Sequence, residues 1–437
     1  MMATPWLRPL LATAGLALCL RAGLFVGASS VQPGRFMAPD SSEYDRLGRT
    51  LLHEGRFAGG SGAAAHTRRT PGFPLLVASV YALGWEDPRA VLAVVILMSA
   101  FSVALAAWLA HRMAGVRAAW IAGLLLALDP PSVIASGLFL TDAPFAALLL
   151  AAVTVAVCLM LDPRPRPGKS ALFGTLLAAA ALTRPVGLYL VVPALLWLAL
   201  CGRVRPWSPR ATASALAAFA VPWIVLVGGW QARNRVAAGA FVASDGPAKF
   251  LYFSRGSDIL AQRDGTSIEA ARAELTASIE DEAKRTGRPV ERHYARAAAA
   301  LISRHPILFL KSQARWLPEL LLGTGAAGVS LALGLDAPLH PGRRAVGALV
   351  SAAAALHLVL LYAGAAWGLW QLRDQPTGRL AAALLAGLVL YFVILSTGPQ
   401  TYSRFRVPFT PLLAVCAGCG LARRAPQAAA SDPSSSQ

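Results

Sequence analysis

Charge is what this chain has least of. Asp, Glu, Lys and Arg make up 14% of its 437 residues, where soluble domains carry roughly 25%. So little charge excludes an ordinary water-soluble enzyme, whose surface must hold water. Acids are scarcer than bases, 22 against 40, for a net charge of +18. That excess does not indicate nucleic acid as a partner. No basic cluster sits on a soluble domain or is interleaved with aromatics. Cysteine is nearly absent too, and Cys19, Cys158, Cys201, Cys416 and Cys419 all fall in or beside apolar segments. No disulfide framework is expected, and CAGC at 416–419 reads as two small hydrophobes on a span. Histidines at ligand spacing are missing: His53, His66, His293, His305 and His340 are scattered, so no metal and no cofactor are expected.

What is present is apolar: 56% of the residues, in runs that reach the roughly 17 to 25 residues needed to cross a bilayer as helix. The expected fold is an all-α polytopic membrane protein. About ten transmembrane helices are expected, at 10–30, 90–111, 118–137, 140–161, 170–183, 186–201, 211–230, 346–370, 379–397 and 406–422. The pair at 170–183 and 186–201 is short and reads equally as one bent unit. The first run is taken as a retained span rather than a signal peptide, because Arg21 interrupts it and no clean cleavage site follows.

The loops HRMAGVR, DPRPRPGK, CGRVRPWSPR and QLRDQPTGR are basic and nearly free of acids, and RR follows the last span. Basic short loops stay in the cytoplasm, which puts both termini inside. The opposite, outer side then holds the loop 31–89 and the segment 231–345. Within the latter, 308–334 is broken by Lys311, Arg315 and Glu319 and is expected to lie at the interface rather than to span. The organisation expected is thus 1–230, a transmembrane module with outer loop 31–89; 231–345, an outer helical segment; 346–422, C-terminal transmembrane helices; and 423–437, a disordered cytoplasmic tail.

The scarce acids concentrate where a function would need them. PDSSEYDRLGRTLL in the first outer loop starts a helix, with Asp40 and Glu43 at capping-box spacing. Tyr44, Leu47, Leu51 and Leu52 share one face of it. Locally, Asp40 is either a helix cap or a functional acid. HTRRTPGFPLL places Arg68 and Arg69 before a Pro-Gly-Phe-Pro turn, and arginine holds phosphate with fixed bidentate geometry. LFLTDAPF puts Asp142 at a span end, in a context that also suits a cap. Arg184 in ALTRPVG lies between two apolar halves, where a charge needs a partner. SRFRVPF puts Arg404 and Arg406 before the last span. Carboxylates and arginines gathered at one membrane boundary suit an anionic, lipid-linked substrate.

In the order PDSSEY, RRTPGFPLL, TDAPF, ALTRPVGLYLVVP, PWIVLVGGWQARNRVAAGAFV and SRFRVPFTPLL, the chain resembles the C-type-fold membrane glycosyltransferases that use polyprenyl-phosphate sugars. That group includes protein O-mannosyltransferases and the aminoarabinose and galacturonic acid transferases of lipid A. The resemblance runs over about residues 10–422, and Trp230, Arg233 and Asn234 are its most distinctive part. It implies a juxtamembrane-helix first outer loop. It implies Asp40 as general base on an acceptor hydroxyl, with Glu43 as the alternative. Arg68 and Arg69 would hold the donor phosphate together with Arg404 or Arg406. Asp142, Arg184, Arg233 and Asn234 would shape the substrate pocket. The implied partners are a polyprenyl-phosphate-linked sugar, membrane lipid, and an acceptor glycan, lipid or protein. Alanine-rich, arginine-over-lysine composition suggests a high-GC bacterium, hence the cytoplasmic membrane with an outer-facing site. Two other readings compete: a transporter or flippase for a lipid-linked substrate, using Arg184 and the short spans beside it, and a scaffold without catalysis.

Overall fold

A computed structural model describes residues 5–32, 34–60, 64–332, 341–374 and 376–422. The expected tail at 423–437, the RR pair and His340 lie outside the described residues. The described chain is helical throughout, apart from one isolated bridge between Ala58 and Ala65.

Helix α1 (Leu7–Val31) leads to the short helix α2 (Ser41–Glu54), which packs on α3 (Gly72–Tyr81). Gly48 makes that contact close, since a β-carbon there would fall on the Val77 side chain. α4 (Pro88–Ala114) starts at Asp87, whose carboxylate accepts from the Arg89 amide. Gly115, at φ 88°, turns the chain into α5 (Val116–Ala127), which packs back along α4. α6 (Pro130–Ser136) follows α5 at a bend of 61°. α7 (Asp142–Leu161) packs on α8 (Pro167–Thr183), and a 3-10 turn at Pro185–Leu190 runs into α9 (Val191–Val204). α10 (Pro209–Trp223) passes through a π-helical turn at Ile224–Gly228 into α11 (Gly229–Ala238).

The following segment is a small helical cap. Its helices are α12 (Gly246–Phe250), α13 (Gly256–Asp264), α14 (Ile268–Thr286) and α15 (Tyr294–Arg304). Tyr252, Leu260, Leu275, Ile279 and Tyr294 form its own core. The chain continues as α16 (Pro306–Leu322), α17 (Ala326–Ala332), α18 (Pro341–Leu372) and α19 (Pro376–Ser396). A 3-10 turn at Ser403–Arg406 then precedes α20 (Thr410–Leu421). Buried Arg255 fastens the cap to the bundle, donating to the carbonyls of Leu395, at 3.2 Å, and Thr397.

Seven described helices are long and apolar enough to cross a membrane, or eight if the bent α5–α6 pair is one span. The sequence reading of about ten differs at three places. Residues 118–137 are the bent pair, broken at Asp129-Pro130-Pro131. Residues 170–183 fall in α8, which has 17 residues. Residues 406–422 shorten to the 12-residue α20, because its first residues form the 3-10 turn. α20 is short yet central, with every residue from 410 to 420 buried. It crosses α18 closely enough that a β-carbon on Gly368 would fall on the Cys416 carbonyl. Small residues of this kind let membrane helices approach. The segment 308–334 is broken at Gly323 into α16 and α17 rather than running as one helix.

Candidate active site

The capping box expected at Asp40 and Glu43 does not form. Asp40 takes the N-cap position of α2 with helical backbone angles, φ −78° and ψ −16°, and its side chain makes no cap bond. A cap needs extended backbone there. The carboxylate pairs instead with Arg69, Oδ1 to Nη2 at 2.7 Å. Glu43 turns inward. Its Oε2 accepts from Arg68 Nη2 at 2.5 Å and from Arg69 Nε at 2.8 Å, and its Oε1 lies 3.4 Å from His66 Nε2. The Asp40 side chain is 52% exposed and that of Glu43 only 11%.

Local packing fixes the arginines. The Asp245 amide donates to the Thr67 carbonyl at 3.2 Å, and Ser244 Oγ donates to the Arg68 carbonyl at 2.6 Å. The Pro71-Gly72 turn sits on the end of α8: a β-carbon on Gly72 would come within 2.7 Å of the Leu182 carbonyl. Arg69 is thereby carried toward Arg184.

A second ion-pair group stands there. Asp142 opens α7 as a buried residue, and Arg184 Nη1 donates to its Oδ1. Arg404 Nε stands 3.8 Å from Asp142 Oδ2. The Phe405 ring lies 5.5 Å from the Arg184 guanidinium carbon and 5.7 Å from that of Arg404. Tyr44 joins the two groups. Its ring lies 4.9 Å from the Arg69 guanidinium carbon and meets Phe73 edge-on at 5.2 Å. Asp40, Asp142 and Arg184 are all within its electrostatic reach.

Burial alone would raise the Glu43 carboxyl above its ordinary range, but Arg69 and Arg68 outweigh burial and hold it below. Burial lowers the Arg69 guanidinium, yet Tyr44, Asp40 and Glu43 more than reverse this, so it stays charged. Burial also lowers His66 and favours its neutral ring, against the pull of Glu43 toward the charged form.

Thus Asp40, Glu43, Arg68, Arg69, Asp142, Arg184 and Arg404 are brought together. Three other expected site residues form no ion pair or side-chain hydrogen bond with these seven, although Arg233 Nη1 reaches the His66 carbonyl at 3.4 Å. Arg406 is fully buried, and its Nη1 donates to the carbonyls of Leu320, at 3.1 Å, and Leu321, at 3.2 Å. Those bonds direct it to the end of α16 instead of a shared phosphate site with Arg404. Arg233 lies against Trp230 and Phe57 and donates to the Phe57 carbonyl at 3.1 Å. Asn234 donates to the Val242 carbonyl at 2.8 Å. This most distinctive piece of the sequence is a clamp that holds the loop after α2 against α11. The sequence reading missed His66 as a neighbour of Glu43. It also missed Asp129, although an acid inside the apolar run LLLALDPPSV was a visible signal.

Comparison with known proteins agrees with this architecture. Residues 68–230 match the family model described as dolichyl-phosphate-mannose-protein mannosyltransferase. The archaeal oligosaccharyltransferase AglB from Archaeoglobus fulgidus, solved with an inhibitory peptide and a dolichol-phosphate, shares 14% identity at a TM-score of 0.54, covering 94% of this chain and 50% of that one. The apo form of the Archaeoglobus fulgidus oligosaccharyltransferase gives 14% identity, a TM-score of 0.55 and the same coverage. ArnT from Cupriavidus metallidurans bound to undecaprenyl phosphate gives 17% identity, a TM-score of 0.44, and coverage of 96% of this chain and 78% of that one. The chain spans about half the length of the oligosaccharyltransferase whose fold it shares. No curated protein matches it.

Proposed function

We propose that this protein is an inverting glycosyltransferase. It moves a sugar from a polyprenyl-phosphate donor to an acceptor hydroxyl at the outer face of a bacterial cytoplasmic membrane. The observation that carries the reading is a half-exposed carboxylate, Asp40, held by Arg69 beside the Asp142–Arg184–Arg404 group. The leaving group of such a donor is already anionic, so it needs no general acid. Arg69 and Arg404, with Arg68, stabilise the departing phosphate, where fixed positive charge contributes most. Asp40 takes the acceptor proton late in the step, when the sugar is oxocarbenium-like and a weak base suffices. Exposure favours Asp40 over Glu43 as the base, because Glu43 is enclosed by the arginines it orients. One displacement inverts the anomeric centre. An apolar cavity lined by Leu149, Leu190, Trp197 and Leu388, between α7, α9 and α19, suits an isoprenoid tail. The family model matched at residues 68–230 supports the donor class.

One feature favours transport instead, the span broken at Asp129, since transporters bind substrate at such breaks. Steady-state kinetics separates the readings. Asp40→Asn is expected to lower kcat by about 100-fold or more with the protein still folded, and Arg404→Ala to raise the donor KM. Unchanged kcat in Asp40→Asn would remove Asp40 from the chemistry.

A further inference from the structure

Among the described residues, several of the most deeply buried charges lie outside the site. Arg21, on α1, is 1% exposed. It donates to Ser99 Oγ at 2.8 Å and to the carbonyls of Ala127, at 3.1 Å, and Leu126, at 3.2 Å. Those carbonyls end α5, where the bend leaves them without helical partners. Across the same bend, fully buried Asp129 caps α6, its Oδ2 accepting from the Ser132 amide at 3.0 Å and the Ser132 hydroxyl at 2.6 Å. Its Oδ1 is 3.6 Å from His357 Nε2 on α18. Arg406 is within Coulombic reach of Asp129. It shares the Leu321 carbonyl with the Tyr362 hydroxyl, which donates to it at 2.8 Å. A buried guanidinium is costly unless opposed by negative charge and acceptors. Here the two carbonyls at the end of α16 supply the acceptors, and they direct the Arg406 side chain there.

We propose that Arg406 is a positioning residue. Held by the Leu320 and Leu321 carbonyls at the end of α16, it fixes the 3-10 turn Ser403–Arg406 so that Arg404, two residues earlier, stands at Asp142. The turn's other bonds are to its own backbone: the Val407 amide to the Arg404 carbonyl at 3.1 Å, the Phe405 amide to the Tyr402 carbonyl at 2.9 Å, and the Phe409 amide, at 3.0 Å, and the Thr410 hydroxyl, at 3.1 Å, to the Arg406 carbonyl. Those bonds tie the turn to α20, and the Arg406 side chain is what ties it by hydrogen bonds to α16. This role rests on the reading of Arg404 as a phosphate-holding residue.

The test is a double-mutant cycle on the full-length protein in lipid nanodiscs, with hydrogen exchange measured in parallel. Arg406→Met is expected to raise the donor KM about tenfold, with kcat changed far less, and Arg406→Lys to recover part of the loss. In an Arg404→Ala background, Arg406→Met is expected to add almost nothing, because the residue it positions is gone. Multiplicative losses overturn the proposal. Hydrogen exchange in 398–409 is expected to rise in Arg406→Met while exchange in α20 stays protected. Unchanged exchange in 398–409 overturns the anchor whatever the activity. Absence of turnover in the wild type, with faster exchange in the variant, rejects the transferase reading and leaves the anchor standing.

Discussion

Asp40 and Glu43 lie one turn apart at the start of α2 and face different surroundings: one is exposed, the other is enclosed by Arg68, Arg69 and His66. Glu43→Gln is expected to destabilise the protein by about 1–3 kcal/mol, because the arginines lose their charged acceptor. The pH dependence follows from the same contacts. The folded Glu43 titrates below its ordinary 4.5, so its contribution is complete above that value and is lost as pH falls through the lowered one. His66, depressed from 6.5, acts in the same direction, stabilising above 6.5 and less as pH falls. Thermal melts between pH 3 and 7 are expected to show an acid-side loss in the wild type (roughly pH 4.5 and below) that is shallower in Glu43→Gln; an equal loss in both would contradict the assignment. At this scale the sequence was informative about which charged residues gather and weak on how they pair. Spacing showed Asp40 and Glu43 as a cap, since a local pattern cannot register that Arg69, 26 residues away from Glu43, reaches both. Arg404 and Arg406 look equivalent in SRFR, and only burial tells them apart.

Elements were more legible, because apolar runs of bilayer length announce themselves. Where the sequence reading and the structure differ, prolines and close crossings explain it. Asp129-Pro130-Pro131 ends α5, since the residue before proline avoids helical geometry. α20 needs no bilayer length of its own, being enclosed by α4, α5 and α18. The close crossings give direct tests. Gly48→Val is expected to separate α2 from α3 and Gly368→Val to separate α18 from α20, each lowering stability by about 1–3 kcal/mol. Gly48→Val should also impair the site, because α2 carries Asp40 and Glu43. Melting temperature and turnover, measured together, check both; a silent Gly48→Val would mean that α2 does not depend on this contact.

For the whole molecule, the site is a junction of distant segments. Residues 40–44, 66–69, 142, 184 and 404–405 meet at the head of the bundle, and the cap is fastened beside them through Arg255. Arg255→Met is expected to speed proteolysis within 246–304 while the transmembrane helices stay resistant, as judged by limited digestion in nanodiscs. The contacts of this assembly were not legible in the sequence, where Asp40 and Asp142 alone read as caps; the shared membrane boundary and the order of the pieces suggested a common site. The most direct measurement is release of polyprenyl phosphate from a panel of radiolabelled polyprenyl-phosphate sugars. It uses purified wild type and Asp40→Asn protein, with membrane extract as acceptor. The account requires release by the wild type on at least one sugar, with loss in the variant. Wild-type protein that binds the lipid, never cleaves it and carries it across the bilayer would contradict the account and make the protein a transporter.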